Sequence, residues 1–79
     1  MNRKQRRELG RKIRQAYRIQ LVVETLPLRY REMILGKIVR GKDWNKMQEN
    51  CYYSERQMRN ILNEALDEVG RRLSEGKNP

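Results

Sequence analysis

Apolar side chains recur along this chain at three- and four-residue intervals and never in the alternation of a half-buried strand, so the pattern predicts helices and no sheet. Leu9, Ile13, Ala16, Tyr17, Ile19 and Val23 trace one stripe, which predicts a first helix over residues 4–24. Its first two turns hold few apolar residues and are expected to fray, or to order on a partner. Leu26, Tyr30, Met33, Ile34 and Ile38 trace a second helix over 27–40. Pro27 suits its first turn, where a missing N–H leaves no bond unmade. Thr25 is the candidate cap upstream, and Gly41 suits the helix end. Gly36, mid-helix, costs about 1 kcal/mol relative to Ala and marks either a close helix approach or a weak point. A third, short helix is predicted over 43–50, opened by Asp43 as N-cap, with Trp44 and Met47 on one face as packing residues. The cleanest stripe, Met58, Ile61, Leu62, Ala65, Leu66, Val69 and Leu73, predicts a fourth helix over 54–74. Ser54 and Gln57, three residues on, have the spacing of a capping box at its start.

The expected fold class is all-α: a small four-helix domain with no sheet. Its last two helices, joined by a tight turn at Cys51–Tyr53, have the layout of a C-terminal helix-turn-helix. Three parts follow: a basic N-terminal helix or arm (1–24), a helix-turn-helix domain (25–74) and a disordered tail (75–79) that includes Lys77, Asn78 and Pro79.

Composition narrows the function classes. A chain of 79 residues supports one small core, with only a few kcal/mol of net stability. The single cysteine excludes an internal disulfide, and the absence of histidine removes the usual Cys/His zinc site. Neither a metal nor a cofactor is expected. No apolar run is longer than Leu21-Val22-Val23, which is too short to span a bilayer. The basic N-terminus is followed by no apolar signal region, so no membrane partner and a cytoplasmic location are expected. No catalytic residue stands out: there is no histidine to activate Cys51 or a serine, and no glycine-rich phosphate loop. The expectation is a non-enzyme.

Nineteen Lys and Arg stand against ten Asp and Glu, a formal charge of +9. The excess is concentrated: Arg3, Lys4, Arg6, Arg7, Arg11, Lys12, Arg14 and Arg18 face Glu8 alone in the first 18 residues. Such a segment points to nucleic acid or another anionic surface; the plainer reading is a helix kept soluble by its charge. On the fourth helix, Glu55, Arg56, Arg59 and Asn60 face away from the apolar stripe, beside the positive end of the helix dipole. Arg can bridge guanine O6 and N7, Asn can pair with adenine, and Glu can accept from cytosine, each discriminating by about 1–3 kcal/mol. The plainer alternative is an exposed Glu55–Arg59 ion pair worth ~0.3–0.5 kcal/mol. On the same reading, Lys46, Tyr52, Ser54, Arg3, Lys4, Arg6 and Arg7 would touch the DNA backbone. Cys51 is expected to pack as a small apolar residue.

The segment from Leu26 to Val69 resembles region four of bacterial sigma factors, and more closely the small region-four-like regulators of Gram-positive phages, the RinA/ArpU group of late-gene activators. Leu26-Pro27 with Arg31-Glu32-Met33-Ile34 is similar to the family's entry into its first motif helix. Asp43-Trp44 and Met47 lie where its scaffold helix begins and packs. The run Tyr53-Ser54-Glu55-Arg56-Gln57-Met58-Arg59-Asn60-Ile61 is similar to its signature, and Ala65-Leu66 to its Ala-Leu pair. The resemblance implies that Glu55, Arg56, Arg59 and Asn60 read promoter DNA, that Tyr53 buries its ring, and that RNA polymerase is a further partner. The chain departs from the family at Gln48, where a small residue is usual, and at Tyr52, where a turn glycine is usual. Tyr52 therefore requires a turn without positive φ. It is expected to be exposed.

The function expected is that of a sequence-specific, phage-type transcription regulator acting on double-stranded DNA. Two other classes share its features: a small terminase-like DNA-packaging recognition subunit, and an adaptor whose basic first helix binds RNA or an acidic protein. A homodimer is the usual route to specificity for so small a motif, although no heptad seam marks one here.

Overall fold

A computed structural model describes residues 1–49 and 51–76. They form helices α1 (Arg3–Gln15), α2 (Tyr17–Glu24), α3 (Leu28–Ile34, continuing as a π-helical turn over Leu35–Val39), α4 (Trp44–Gln48) and α5 (Glu55–Gly76). No strand occurs among the described residues, and the class is all-α as expected.

The first predicted helix is two. The chain breaks at Ala16, which is extended at φ −119° and ψ 108°. The Ala16 N–H still donates to Lys12 O at 2.8 Å, and Gln20 Nε2 donates to Ile13 O at 2.9 Å, so the end of α1 keeps its carbonyls partnered. The break changes the phase of α2. Val23 stays fully buried, but Tyr17, expected in the core stripe, lies 73% exposed. The first turns of α1 are capped rather than frayed. Asn2 accepts from the Gln5 N–H and Gln5 Oε1 accepts from the Asn2 N–H, both at 2.8 Å, which is a capping box without Ser or Thr.

Pro27 is the N-cap residue of α3 rather than part of its first turn, and its carbonyl accepts from Tyr30 and Arg31. Thr25, read as a cap for that helix, instead closes α2: its hydroxyl donates to Val22 O at 2.7 Å. Gly36 is a close approach. A Cβ there would stand 3.1 Å from Met47 Cε, so α4 rests directly on the π-helical turn. Gly41, at φ +67°, ends the segment as expected. In α4, Asp43 caps through the Lys46 N–H at 2.8 Å. The helix stops at Gln48, short of the predicted 43–50; Asn50 lies outside the described residues. The predicted capping box opens α5, with Ser54 N–H donating to Gln57 Oε1 at 2.8 Å and Gln57 N–H to Ser54 Oγ at 3.2 Å. This helix runs through Gly76, so Glu75 and Gly76 are not tail; residues 77–79 lie outside the described part.

One core joins these elements. Leu9 and Ile13 of α1 share it with Val23, Leu26, Met33, Ile34 and Met47, and with Met58, Leu62, Ala65, Leu66 and Val69 of α5. Ile13, Val23, Ile34, Met58 and Val69 are fully buried, each contributing about 1.5–3 kcal/mol relative to exposure. The predicted arm is thus part of the folded unit. No described helix is long and apolar enough to cross a membrane.

Candidate nucleic-acid interface

Two attachments hold α1 in place, one to α5 and one to the π-helical turn. The Arg6 guanidinium meets the Asp67 carboxylate in a two-pronged pair, both bonds at 3.0 Å. That bond holds the Asp67 carboxyl below its ordinary pKa and raises that of Arg6. Nearer the break, Arg14 Nε donates to Ile38 O at 3.1 Å. There Gly10 lets α1 close on the Ile38 side chain, since a Cβ at Gly10 would stand 3.2 Å from Ile38 Cδ1.

Because α1 is held there, an open groove of about 990 Å³ lies between it and the first half of α5. Arg3, Arg7, Arg11 and Arg14 form one wall. Glu55, Arg56, Arg59, Asn60 and Asn63 form the other. Lys37 and Trp44 stand at the end nearest the π-helical turn, and Gly10, Ile38, Leu62 and Leu66 close the base. Lys37 Nζ lies 4.6 Å from the centre of the Trp44 ring and Arg59 Cζ lies 5.4 Å from it, both within cation–π range. Trp44 packs half-buried against the core, as its spacing to Met47 predicts, while its ring also anchors these two cations.

The four expected reading residues are all exposed and all line this groove. Glu55 and Arg59 also form the ion pair of the plainer alternative, Oε2 to Nε at 3.1 Å. Arg56 and Asn60 have no side-chain partner among the described residues, so they present free donors. Of the expected backbone contacts, Arg3, Arg6 and Arg7 line the groove, and Arg6 is committed there to Asp67. Lys4, Lys46, Tyr52 and Ser54 lie outside it. Ser54 uses its hydroxyl for the cap, and Tyr52 is fully exposed, at 107%.

The connection from α4 to α5 spans 49–54. No non-glycine described residue has positive φ, so Tyr52 carries no left-handed strain. Gln48 is exposed and avoids the helix contact. Tyr53, expected to bury its ring, is instead 38% exposed. Cys51 takes the inner place: its thiol is half-buried, 3.4 Å from Met47 O and 3.7 Å from Met58 Sδ. Sequence reasoning missed Arg11, Arg14 and Lys37 as groove residues. The first two continue the helical spacing begun by Arg3 and Arg7, four and then three residues on, a signal present in the chain; the place of Lys37 depends on the π-helical turn and had none.

Among the described residues no cluster of three or more Cys, Asp or Glu could hold a metal. Comparison with family models, characterised proteins and solved structures finds no match to this chain.

Proposed function

We propose that this chain is a sequence-specific regulator that binds double-stranded DNA, with the first turns of α5 entering the major groove. The observation that carries the reading is the meeting of two features. A capped helix start exposes Arg56, Arg59 and Asn60, side chains suited to base edges, and a row of arginines on α1 stands beside it. The first supplies sequence discrimination; the second supplies the sequence-independent affinity of phosphate contacts. Glu55 restrains Arg59 until a base or phosphate displaces it. The region-four-like resemblance of Leu26–Val69 supports a role in transcription. Contact with RNA polymerase, or with a second copy, would use the exposed Tyr17, Leu21 and Leu28, none of which lines the groove.

Selection of bound duplexes from a random pool tests this. A single short element, or two half-sites about one helical turn apart, is the expected result. Arg56→Ala with Asn60→Ala should flatten that preference. Equal affinity for every duplex, with no enriched element, would remove the sequence-reading function.

A further inference from the structure

The cations of this protein differ in their partners. Those in the second half of α5 are neutralised: Arg72 pairs with Glu68 at 2.9 Å, and Arg71 pairs with Glu75 at 2.6 Å and also with Glu68. Arg3, Arg7, Arg11, Arg14, Lys37 and Arg56, all lining the groove, have no carboxylate partner among the described residues. Among the described residues the only acidic side chain lining the groove is Glu55, which is engaged by Arg59. On a convex face each such cation is solvated independently. In a concave groove with an apolar base the same charges add and focus the potential on one line.

The shape selects the anion. The groove holds about 990 Å³ above a base where Gly10 meets Ile38, too little space for an intact duplex to enter. A single phosphodiester strand can. Arg3, Arg7, Arg11 and Arg14 share one side of α1 over a length of about 16 Å at 1.5 Å per residue. The phosphates of one strand rise about 3.4 Å each along the duplex axis and stand roughly twice as far apart along the strand itself, so that row faces about two or three successive phosphates. When α5 enters the major groove, the strand bordering that groove is a ridge running beside α5, where the protein has its own groove.

We propose that the groove between α1 and α5 is the seat of one phosphodiester strand of the bound duplex. Arg3, Arg7, Arg11, Arg14 and Lys37 contact its phosphates, while Arg56 and Asn60 reach the adjoining bases. This rests on the DNA-binding function above and deepens it. It makes α1 a folded wall of the binding site, and it assigns phosphate contacts to Arg11, Arg14 and Lys37 while excluding Lys4 and Lys12, which do not line this groove.

The test compares two variants of equal charge loss in the full chain: Arg7→Gln with Arg11→Gln in the groove, and Lys4→Gln with Lys12→Gln outside it. None of these side chains bonds another described residue, so both variants are expected to melt like the parent. Fluorescence anisotropy with a labelled duplex, from about 50 to 200 mM salt, gives the slope of log affinity against log salt. The groove variant should lower its magnitude by about 1.8, two lost phosphates at about 0.9 each; the outer variant should leave it unchanged. Emission of Trp44, the sole tryptophan, should change when the parent binds. Equal effects of the two variants, or an unchanged slope in the groove variant, would overturn the proposal. So would tighter binding of a single-stranded oligonucleotide than of the duplex. A groove-specific loss of slope in a protein that prefers no sequence upholds the strand seat and overturns sequence reading, so the two failures are distinct.

Discussion

Replacing Ile13 with Ala tests whether α1 belongs to the fold or is an appended arm. Ile13 is fully buried, and it sits on α1 between the Arg6–Asp67 pair and the Arg14–Ile38 bond. Loss of a buried isoleucine to alanine costs about 2–5 kcal/mol, the spread set by how far the site collapses. A chain of 79 residues has a total stability on the order of 4–12 kcal/mol at ordinary per-residue values, so the loss is a large fraction. Each kcal/mol shifts the midpoint of a domain this size by about 4–8 °C, which predicts a fall of at least about 8 °C. Thermal melts followed by far-ultraviolet circular dichroism read it directly. Tyr17→Ala is the control: that ring is 73% exposed, and its loss should stay within about 0.5 kcal/mol. An Ile13→Ala midpoint within about 2 °C of the parent, less than 1 kcal/mol is expected to give, would refute the docked helix.

Ser54→Ala removes the hydroxyl that accepts from the Gln57 N–H and should lower stability by about 1 kcal/mol, seen as a lower urea midpoint with an unchanged slope. Gly10→Val places branched bulk where even a Cβ would stand 3.2 Å from Ile38 Cδ1; overpacking should cost about 1–3 kcal/mol and weaken duplex binding by prising α1 from the π-helical turn. Acid should destabilise. Hydrogen bonds from Arg71, and then Arg72, hold the Glu68 carboxyl down from its ordinary 4.5 to about 2, and Arg6 lowers that of Asp67 in the same direction. A carboxyl depressed in the fold stabilises above its ordinary pKa and loses that contribution as pH falls through the folded value. The urea midpoint should therefore decline between pH 4.5 and about 2, and Glu68→Gln should flatten the decline. Glu55→Ala frees Arg59 from its 3.1 Å partner; it should raise affinity for non-specific duplex and weaken sequence preference, and unchanged values of both would contradict a restraining role.

Much of this arrangement was legible in the sequence where local chemistry decides. The apolar stripe of α5, the Asp43 cap and the Ser54–Gln57 box depend on neighbours three or four residues away, and each forms as its spacing predicts. The exposure of Glu55, Arg56, Arg59 and Asn60 follows from that same stripe. What escaped depends on distant contacts. The break at Ala16 has no Gly or Pro to mark it; it is held by Gln20 reaching Ile13 O, and by the burial of Val23 that the new direction allows. Tyr53 lost its inner place to Cys51 because the thiol fits between Met47 and Met58, a fact of the assembled core. The groove is legible only in part, since its two walls are about fifty residues apart in the chain and meet through Arg6 and Asp67.

The two faces of α1 serve opposed ends, and this couples stability to occupancy. Its inner face, through Leu9 and Ile13, holds the helix to the core. Its outer face sets Arg3, Arg7, Arg11 and Arg14 opposite Arg56 and Arg59, so docking brings like charges together across a concave space, and their repulsion weakens the docked state. Two-pronged pairing of Arg6 with Asp67 offsets part of this from the side of the groove, without neutralising the wall itself. An anion lodged between the walls removes the repulsion only while α1 is docked, so it binds the folded form in preference to the unfolded one and stabilises it by mass action. The docked helix is therefore under most strain when the groove is empty, and a strand seated there as proposed would reinforce the same helix contacts that formed its site.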